Sequence, residues 1–175
     1  MQFGALIVAA GMSSRMGEFK PMLNIGSISI AQRIVATLRQ SGVTRIVMVT
    51  GHNARELEHH LANNGLIFLR NEQYRTTQMF DSAKIGLEYL KDKCDGILFT
   101  PVDIPLFTAS TVSALMDCGA RLVCPVCEGR RGHPILIGTE LVDTILAYCG
   151  EGGLGGAIEH CGAEMTEIAV EDSGI

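Results

Sequence analysis

The sequence is short of charge. Only 19% of its 175 residues are Asp, Glu, Lys or Arg, while 47% are hydrophobic. That balance leaves ample material for a buried interior and excludes a solvated, disordered coil. The length matches one hydrophobic core, since chains tend to split into domains beyond roughly 100–200 residues. Basic blocks are also missing: 14 Lys and Arg are outnumbered by 19 Asp and Glu, for a net charge of -5. The sequence-independent attraction on which nucleic-acid binders rely is therefore absent, and no nucleic-acid partner is expected. Long apolar runs are lacking too. The longest, Phe3 to Ala10, falls far below the roughly 20 residues that cross a bilayer, and no basic leader precedes it. A cytoplasmic protein without membrane contact is the expectation. Six cysteines, at 94, 118, 124, 127, 149 and 161, lack the density of a secreted disulfide scaffold, so reduced thiols are expected.

What is present is an alternation of strands and helices. Phe3 to Ala9 is a continuous apolar run, the mark of a strand buried on both faces of a parallel sheet. A long glycine-containing loop, Ala10 to Pro21, follows it. Ile34, Val35 and Leu38 recur at helical spacing within Ala31 to Gln40, Ser41-Gly42 closes that helix, and Arg45 to Thr50 supplies the next strand. Asn53 is placed to cap a helix running to about Ala62, followed by a short strand at Leu66 to Leu69. A helix over Thr77 to Leu90 and a buried strand over Gly96 to Thr100 continue the alternation. Further on come a helix from about Ala109 to Asp117, strands at Leu122 to Val126 and Pro134 to Ile137, and a helix at Thr139 to Tyr148. The glycine-rich stretch Gly150 to Gly156 reads as a loop before a short helix at Ala157 to His160. The pattern predicts one three-layer, Rossmann-like α/β domain with a mostly parallel sheet. In such sheets ligands collect beyond the carboxyl ends of the strands, so the loops after Ala9, Thr50, Leu69 and Thr100 are expected to share one edge.

Two metal-like patterns carry little. Cys124-Pro125-Val126-Cys127 sits in or at the end of an apolar strand, where a separation of three points the side chains to opposite faces, and no second pair completes a zinc site. His59 and His60 are adjacent on a helix, so their rings diverge.

The chemistry concentrates in the loop after the first strand. Ala9-Ala10-Gly11-Met12-Ser13-Ser14-Arg15-Met16-Gly17-Glu18-Phe19-Lys20 combines glycines, hydroxyls and two cations. Backbone N–H groups of such a loop can converge on phosphate oxygens while Arg15 and Lys20 balance their charge. It is not a Walker A loop, because five residues separate Gly11 from Gly17 and Glu18 stands where lysine would follow; nor is it G-x-G-x-x-G. A surface loop with incidental cations is the plain alternative.

Val8 to Lys20 resembles the L-A-A-G-x-S-x-R-M-G-x-x-K signature of the MobA-like NTP transferases related to molybdenum cofactor cytidylyltransferase. Asn71, Gln78 to Leu87 (Q-M-F-D-S-A-K-I-G-L), Thr100-Pro101-Val102-Asp103-Ile104-Pro105 and Gly132-His133-Pro134 are similar to further landmarks of that family, in family order. The resemblance implies transfer of a nucleotidyl group from an NTP to a substrate phosphate with release of pyrophosphate, assisted by Mg2+. It implies that Ala9, Ala10, Gly11, Met12, Ser13, Ser14 and Gly17 hold the nucleotide phosphates, together with Asn71, Gln78, Ser82 and Pro101 elsewhere on the nucleotide. Arg15 would neutralise the leaving pyrophosphate, Lys20 would face the α-phosphate and Asp103 would ligate magnesium. Gly132, His133 and Pro134 would meet the acceptor. Phosphoryl-type transfer needs in-line positioning and charge stabilisation more than a covalent nucleophile, which this residue set can supply.

Taken singly, each residue also has a plain reading. Asp103 suits a turn or helix cap, and Asn71 a turn. Gln78 and Ser82, four apart, suit the polar face of a helix. Arg130 and Arg131 suit a solvated hairpin tip, and Gly152, Gly153, Gly155 and Gly156 either a mobile loop over the acceptor or a helix start. The family's second acidic cluster, D-x-D-T-P-E-D, has no counterpart before Ile175. Substitution by Glu171 or Asp172 is one expectation; the favoured one is a domain shortened at its C-terminus, with a further segment or domain beyond residue 175. The Ala-Ala-Gly opening is similar to the cytidylyl members and points to CTP and a molybdopterin acceptor. A sugar-phosphate nucleotidyltransferase and a noncatalytic nucleotide-sensing module are the alternatives.

Overall fold

In a computed structural model, which describes residues 1–12 and 18–175, the opening apolar run forms β1 (Phe3–Ala9). Its alternate side chains feed two different cores. Ala5, Ile7 and Ala9 pack on one face, Leu6 and Val8 on the other. After the loop come a small antiparallel hairpin, β2 (Asn24–Ile25) and β3 (Ile28–Ser29), and then α1 (Ile30–Gln40). Ser29 starts α1 through a reciprocal cap: its hydroxyl accepts from the Gln32 amide at 3.2 Å, and its own amide donates to Gln32 Oε1 at 3.0 Å. Further along lie β4 (Arg45–Thr50), α2 (Ala54–His60), β5 (Ile67–Arg70), α3 (Met79–Leu90) and β6 (Gly96–Pro101). The remainder comprises α4 (Ala109–Asp117), β7 (Leu122–Cys127), β8 (Arg130–Arg131), β9 (Ile135–Gly138), α5 (Val142–Leu146), α6 (Gly153–His160) and β10 (Thr166–Ala169).

The main sheet runs β10-β7-β9-β6-β1-β4-β5, with β8 paired to β7. Its long pairings are parallel except around β9, which is antiparallel to both β6 and β7. Helices α1, α2 and α4 cover the face that carries Ala5 and Ile7; α3, α5 and α6 cover the face that carries Leu6 and Val8. This is the three-layer α/β arrangement the alternation predicts. From β1 the chain moves outward through β4 and β5, then returns to place β6 on the other flank of β1. The order therefore reverses between β1 and β6, and a crevice opens above that switch point. Among the described residues no helix is long and apolar enough to cross a membrane.

Several local expectations are corrected. Asn53 precedes α2 with φ 53°, and its side chain makes no capping bond; its carbonyl accepts from Leu57 instead. The helix expected at Thr139 to Tyr148 divides into a 3-10 turn, Thr139–Leu141, and the short α5. The glycines after Gly150 mostly belong to α6, with Gly152 and Gly153 adopting the positive φ of 87° and 58° that its start requires. The β2–β3 hairpin and β10 are additional elements.

Candidate active site

A cavity of about 540 Å³ sits above the switch point, within the size range of small-molecule sites. One wall is the end of β1 and its continuation, Val8 to Met12; a second is Lys20 and Pro21; a third is Tyr74 and the start of α3, with Thr77, Gln78, Met79 and Ser82; the fourth is Pro101, Val102 and Asp103. Ala9, Ala10, Gly11, Met12, Lys20, Gln78, Ser82, Pro101 and Asp103 are thus brought to one space. Ser13, Ser14, Arg15 and Gly17 lie outside the described residues.

Lys20 and Asp103 face each other, with Nζ 3.5 Å from Oδ1. Each is held by local geometry. Lys20 opens a 3-10 turn, Lys20–Met22, whose buried Pro21 fixes the backbone, and the Leu23 amide closes it by donating to the Lys20 carbonyl at 3.0 Å. Asp103 lies in a tight turn in which the Ile104 amide donates to the Pro101 carbonyl, while the Val102 amide donates to the Val8 carbonyl and extends the β1–β6 pairing. Buried Val102 anchors this turn and leaves the Asp103 side chain 66% exposed toward the cleft.

The β5–α3 connection is braced from within. The Asn71 side chain donates to Thr77 Oγ1 and Ser82 Oγ, both at 2.9 Å, and accepts from the Gln73 amide at 3.0 Å. Asn71 is buried and shapes the loop that presents Tyr74, Thr77 and Gln78, while the buried Ser82 hydroxyl is engaged with Asn71. At the start of α3 the Asp81 carboxylate accepts from the Gln78 amide at 2.9 Å, which leaves the exposed Gln78 side chain on the cavity side.

Gly132, His133 and Pro134 do not line this cavity; they lie across β6 from it. Ile135 pairs with Phe99 of β6, and the His133 ring lies 6.0 Å from the Phe99 ring. Burial pushes the His133 imidazole below its ordinary value, and its Nδ1 is buried with no partner among the described residues. At the adjacent hairpin Arg131 pairs with Glu167 of β10, and Arg130 is exposed. Glu171 is exposed, but Asp172 is corrected as a substitute metal ligand. Its carboxylate is buried and accepts from the Thr108 amide, the Thr108 and Thr111 hydroxyls and the Gly174 amide, which locks the C-terminal segment onto the start of α4. Cys124 is buried on β7, and all six cysteines are free thiols.

Tyr74, Thr77 and Met79 are cavity residues that pattern reasoning passed over. Their position between β5 and α3, at the edge where the parallel strands end, was the signal available.

Residues 5–165 match the MobA-like NTP transferase domain. The chain belongs to that family. The bifunctional protein GlmU of Staphylococcus haemolyticus is 30% identical over 119 residues, 67% of this chain and 26% of that protein; this MobA-like domain thus spans about a quarter of the length of the curated relatives it matches. Among solved structures, a nucleotidyl transferase from Methanothermobacter thermautotrophicus superposes with a TM-score of 0.84 at 20% identity, covering 97% of this chain and 88% of that one. Rv0371c from Mycobacterium tuberculosis H37Rv, in complex with manganese, superposes at 0.80 with 18% identity, covering 97% and 88%. The MobA-like domain therefore shares the nucleotidyltransferase fold.

Proposed function

We propose that this single domain, residues 1–175, is a cytoplasmic Mg2+-dependent nucleotidyltransferase that moves CMP from CTP to a phosphate-bearing acceptor such as molybdopterin cofactor. The observation that carries the reading is the Lys20–Asp103 pair, a cation and an exposed carboxylate 3.5 Å apart that together line the cavity at the switch point. A polyphosphate needs both: a cation against its own charge, and a hard oxygen donor for the metal it travels with.

The donor set fits magnesium. The ion takes one or two carboxylates plus phosphate oxygens and water, and Asp103 is the one acidic side chain among the described cavity residues. Bound there, it would supply charge neutralisation along the phosphates. The chain's own residues do the rest on this reading. The backbone from Ala9 to Met12 and the Ser13 to Gly17 segment cradle the phosphates, and Arg15 balances the leaving pyrophosphate. Lys20 stands against the α-phosphate, and Gln78 and Pro101 border the nucleoside. An acceptor phosphate oxygen forms the new bond to the α-phosphorus as the bond to pyrophosphate breaks. The acceptor approaches from the Gly132-His133-Pro134 side. Six free thiols, of which only Cys124 is buried and Cys118 and Cys149 are exposed, suit a reducing compartment such as the cytoplasm.

The Gly11-x-x-x-Arg15-Met16-Gly17-x-x-Lys20 element, similar to that of sugar-phosphate nucleotidyltransferases, supports sugar phosphates as a second acceptor class. Pyrophosphate release with each of CTP, GTP, UTP and ATP, in the presence of magnesium and either molybdopterin or a hexose 1-phosphate, separates the two. Release is expected with CTP and molybdopterin; release only with a hexose 1-phosphate selects the second reading, and none with any pair leaves a nucleotide-sensing module. Lys20→Ala is expected to lower turnover about a hundredfold or more while its melting temperature stays near that of the wild type. Equal loss of both contradicts the assignment.

A further inference from the structure

We infer that His52 is a positioning residue of this site, an aromatic strut that sets the distance between the Lys20 wall and the Tyr74 wall of the cavity. The inference rests on the nucleotide reading above and adds a residue to it. His52 leaves the end of β4, the strand flanking β1. Its ring stands between two others: Phe19 at 5.8 Å between centroids, edge to face at 76°, and Tyr74 at 5.9 Å, tilted by 57°. Both separations lie within the range of favourable aromatic pairs. Phe19 directly precedes Lys20, so the ring that holds Phe19 fixes where the lysine emerges. Tyr74 lines the opposite wall.

The backbone adds a third link. The His52 amide donates to the Ala10 carbonyl at 3.3 Å, which ties the same residue to the loop leaving β1. Gly51 before it is wedged tightly: a Cβ there would sit 2.7 Å from Tyr74 Cβ and 2.9 Å from the Ala10 oxygen. One residue at the end of β4 thus touches three chain segments that form the cavity and are distant in sequence. Transfer chemistry depends on sub-ångström placement of charge, so a spacer between the walls acts on rate through Lys20 without touching the reacting atoms.

The test uses the full chain as His52→Ala, His52→Phe, Lys20→Ala and the His52→Ala/Lys20→Ala double variant. Nucleotide-free amide NMR spectra are expected to show Met12, Lys20 and Gln78 displaced together in His52→Ala and returned toward wild-type positions in His52→Phe. In pyrophosphate-release kinetics His52→Ala should lower kcat roughly tenfold to a hundredfold, with His52→Phe within about threefold of wild type. On the Lys20→Ala background the same change should matter by less than about threefold, because coupled residues are non-additive. Multiplicative losses, a His52→Phe as poor as His52→Ala, or an unperturbed His52→Ala overturns the strut. If His52→Ala does not fold, His52→Leu against His52→Phe asks the same question. Wild-type protein without any nucleotide-dependent turnover overturns the function reading instead, and the amide spectra still report whether the strut exists.

Discussion

Asp172 carries an electrostatic consequence well away from the cavity. Burial alone would raise its carboxyl, but the hydrogen bonds from Thr111, Thr108 and Gly174 outweigh burial and hold it below the ordinary carboxylate range. A carboxylate depressed by folding stabilises the native state at pH values above its unfolded-state value, and that contribution is lost as the pH falls through the lower, folded value. Asp172→Ala is therefore expected to cost about 2–3 kcal/mol at pH 7, or roughly 4–12 °C in melting temperature for a domain of this size. Urea melts of the two proteins should converge as the medium is acidified below the usual carboxylate range; a difference that stays constant to low pH would show that the charge is not its source. At this scale the sequence was legible where a residue acts through its neighbours in the chain. The turn that carries Asp103 was readable from the prolines around it, Pro101 and Pro105. Asp172 was not, because Thr108 and Thr111, which decide its role, lie 64 and 61 positions away.

Helix α3 is set unusually close to β1 because Gly86 has no side chain. A Cβ at that position would run into the fully buried side chain of Leu6. Gly86→Ala is thus a contest between two effects. Removing a helical glycine gains about 1 kcal/mol, while overpacking a filled core costs typically 1–3 kcal/mol. Leu6 is fully buried on the central strand, so the cost is expected to win and the variant to melt a few degrees lower. A melting temperature above wild type would mean that the α3–β1 interface can relax. Elements with a strong apolar period, such as β1, α1, β4, β6 and α4, were legible within a residue or two. The β2–β3 hairpin has two-residue strands, too short for any alternation to show, and β10 is a half-exposed edge with Ile168 as its one strongly apolar member. The break between Thr139–Leu141 and α5 is a change of helix type, which apolar spacing does not report.

For the molecule as a whole, the cavity draws on both flanks of the central strand pair, so an occupant would hold together segments that unfolding separates. A ligand bound only by the native state stabilises it by about 2.7 kcal/mol at a hundred times its Kd, or roughly 5–10 °C here. The favoured nucleotide with magnesium is expected to give such a shift in a thermal melt, and EDTA to reduce it; a panel of four nucleotides with no shift would remove the cavity from consideration as a nucleotide site. That the exit from β1 and the Asp103 turn meet at one cavity was legible from spacing, because each is one contiguous segment at the same end of neighbouring strands. The Tyr74, Thr77 and Met79 wall was not, since its place depends on how β5 and α3 settle beside β1. The reversed direction of β9 has a geometric effect of its own. Its first residue, Ile135, meets Phe99 near the end of β6, whereas a forward-running strand of four residues would have begun opposite Gly96, about 10 Å lower. That single inversion sets the Gly132-His133-Pro134 corner beside the upper end of β6, the same end at which Pro101 leads into the Asp103 turn, instead of leaving it at the foot of the sheet.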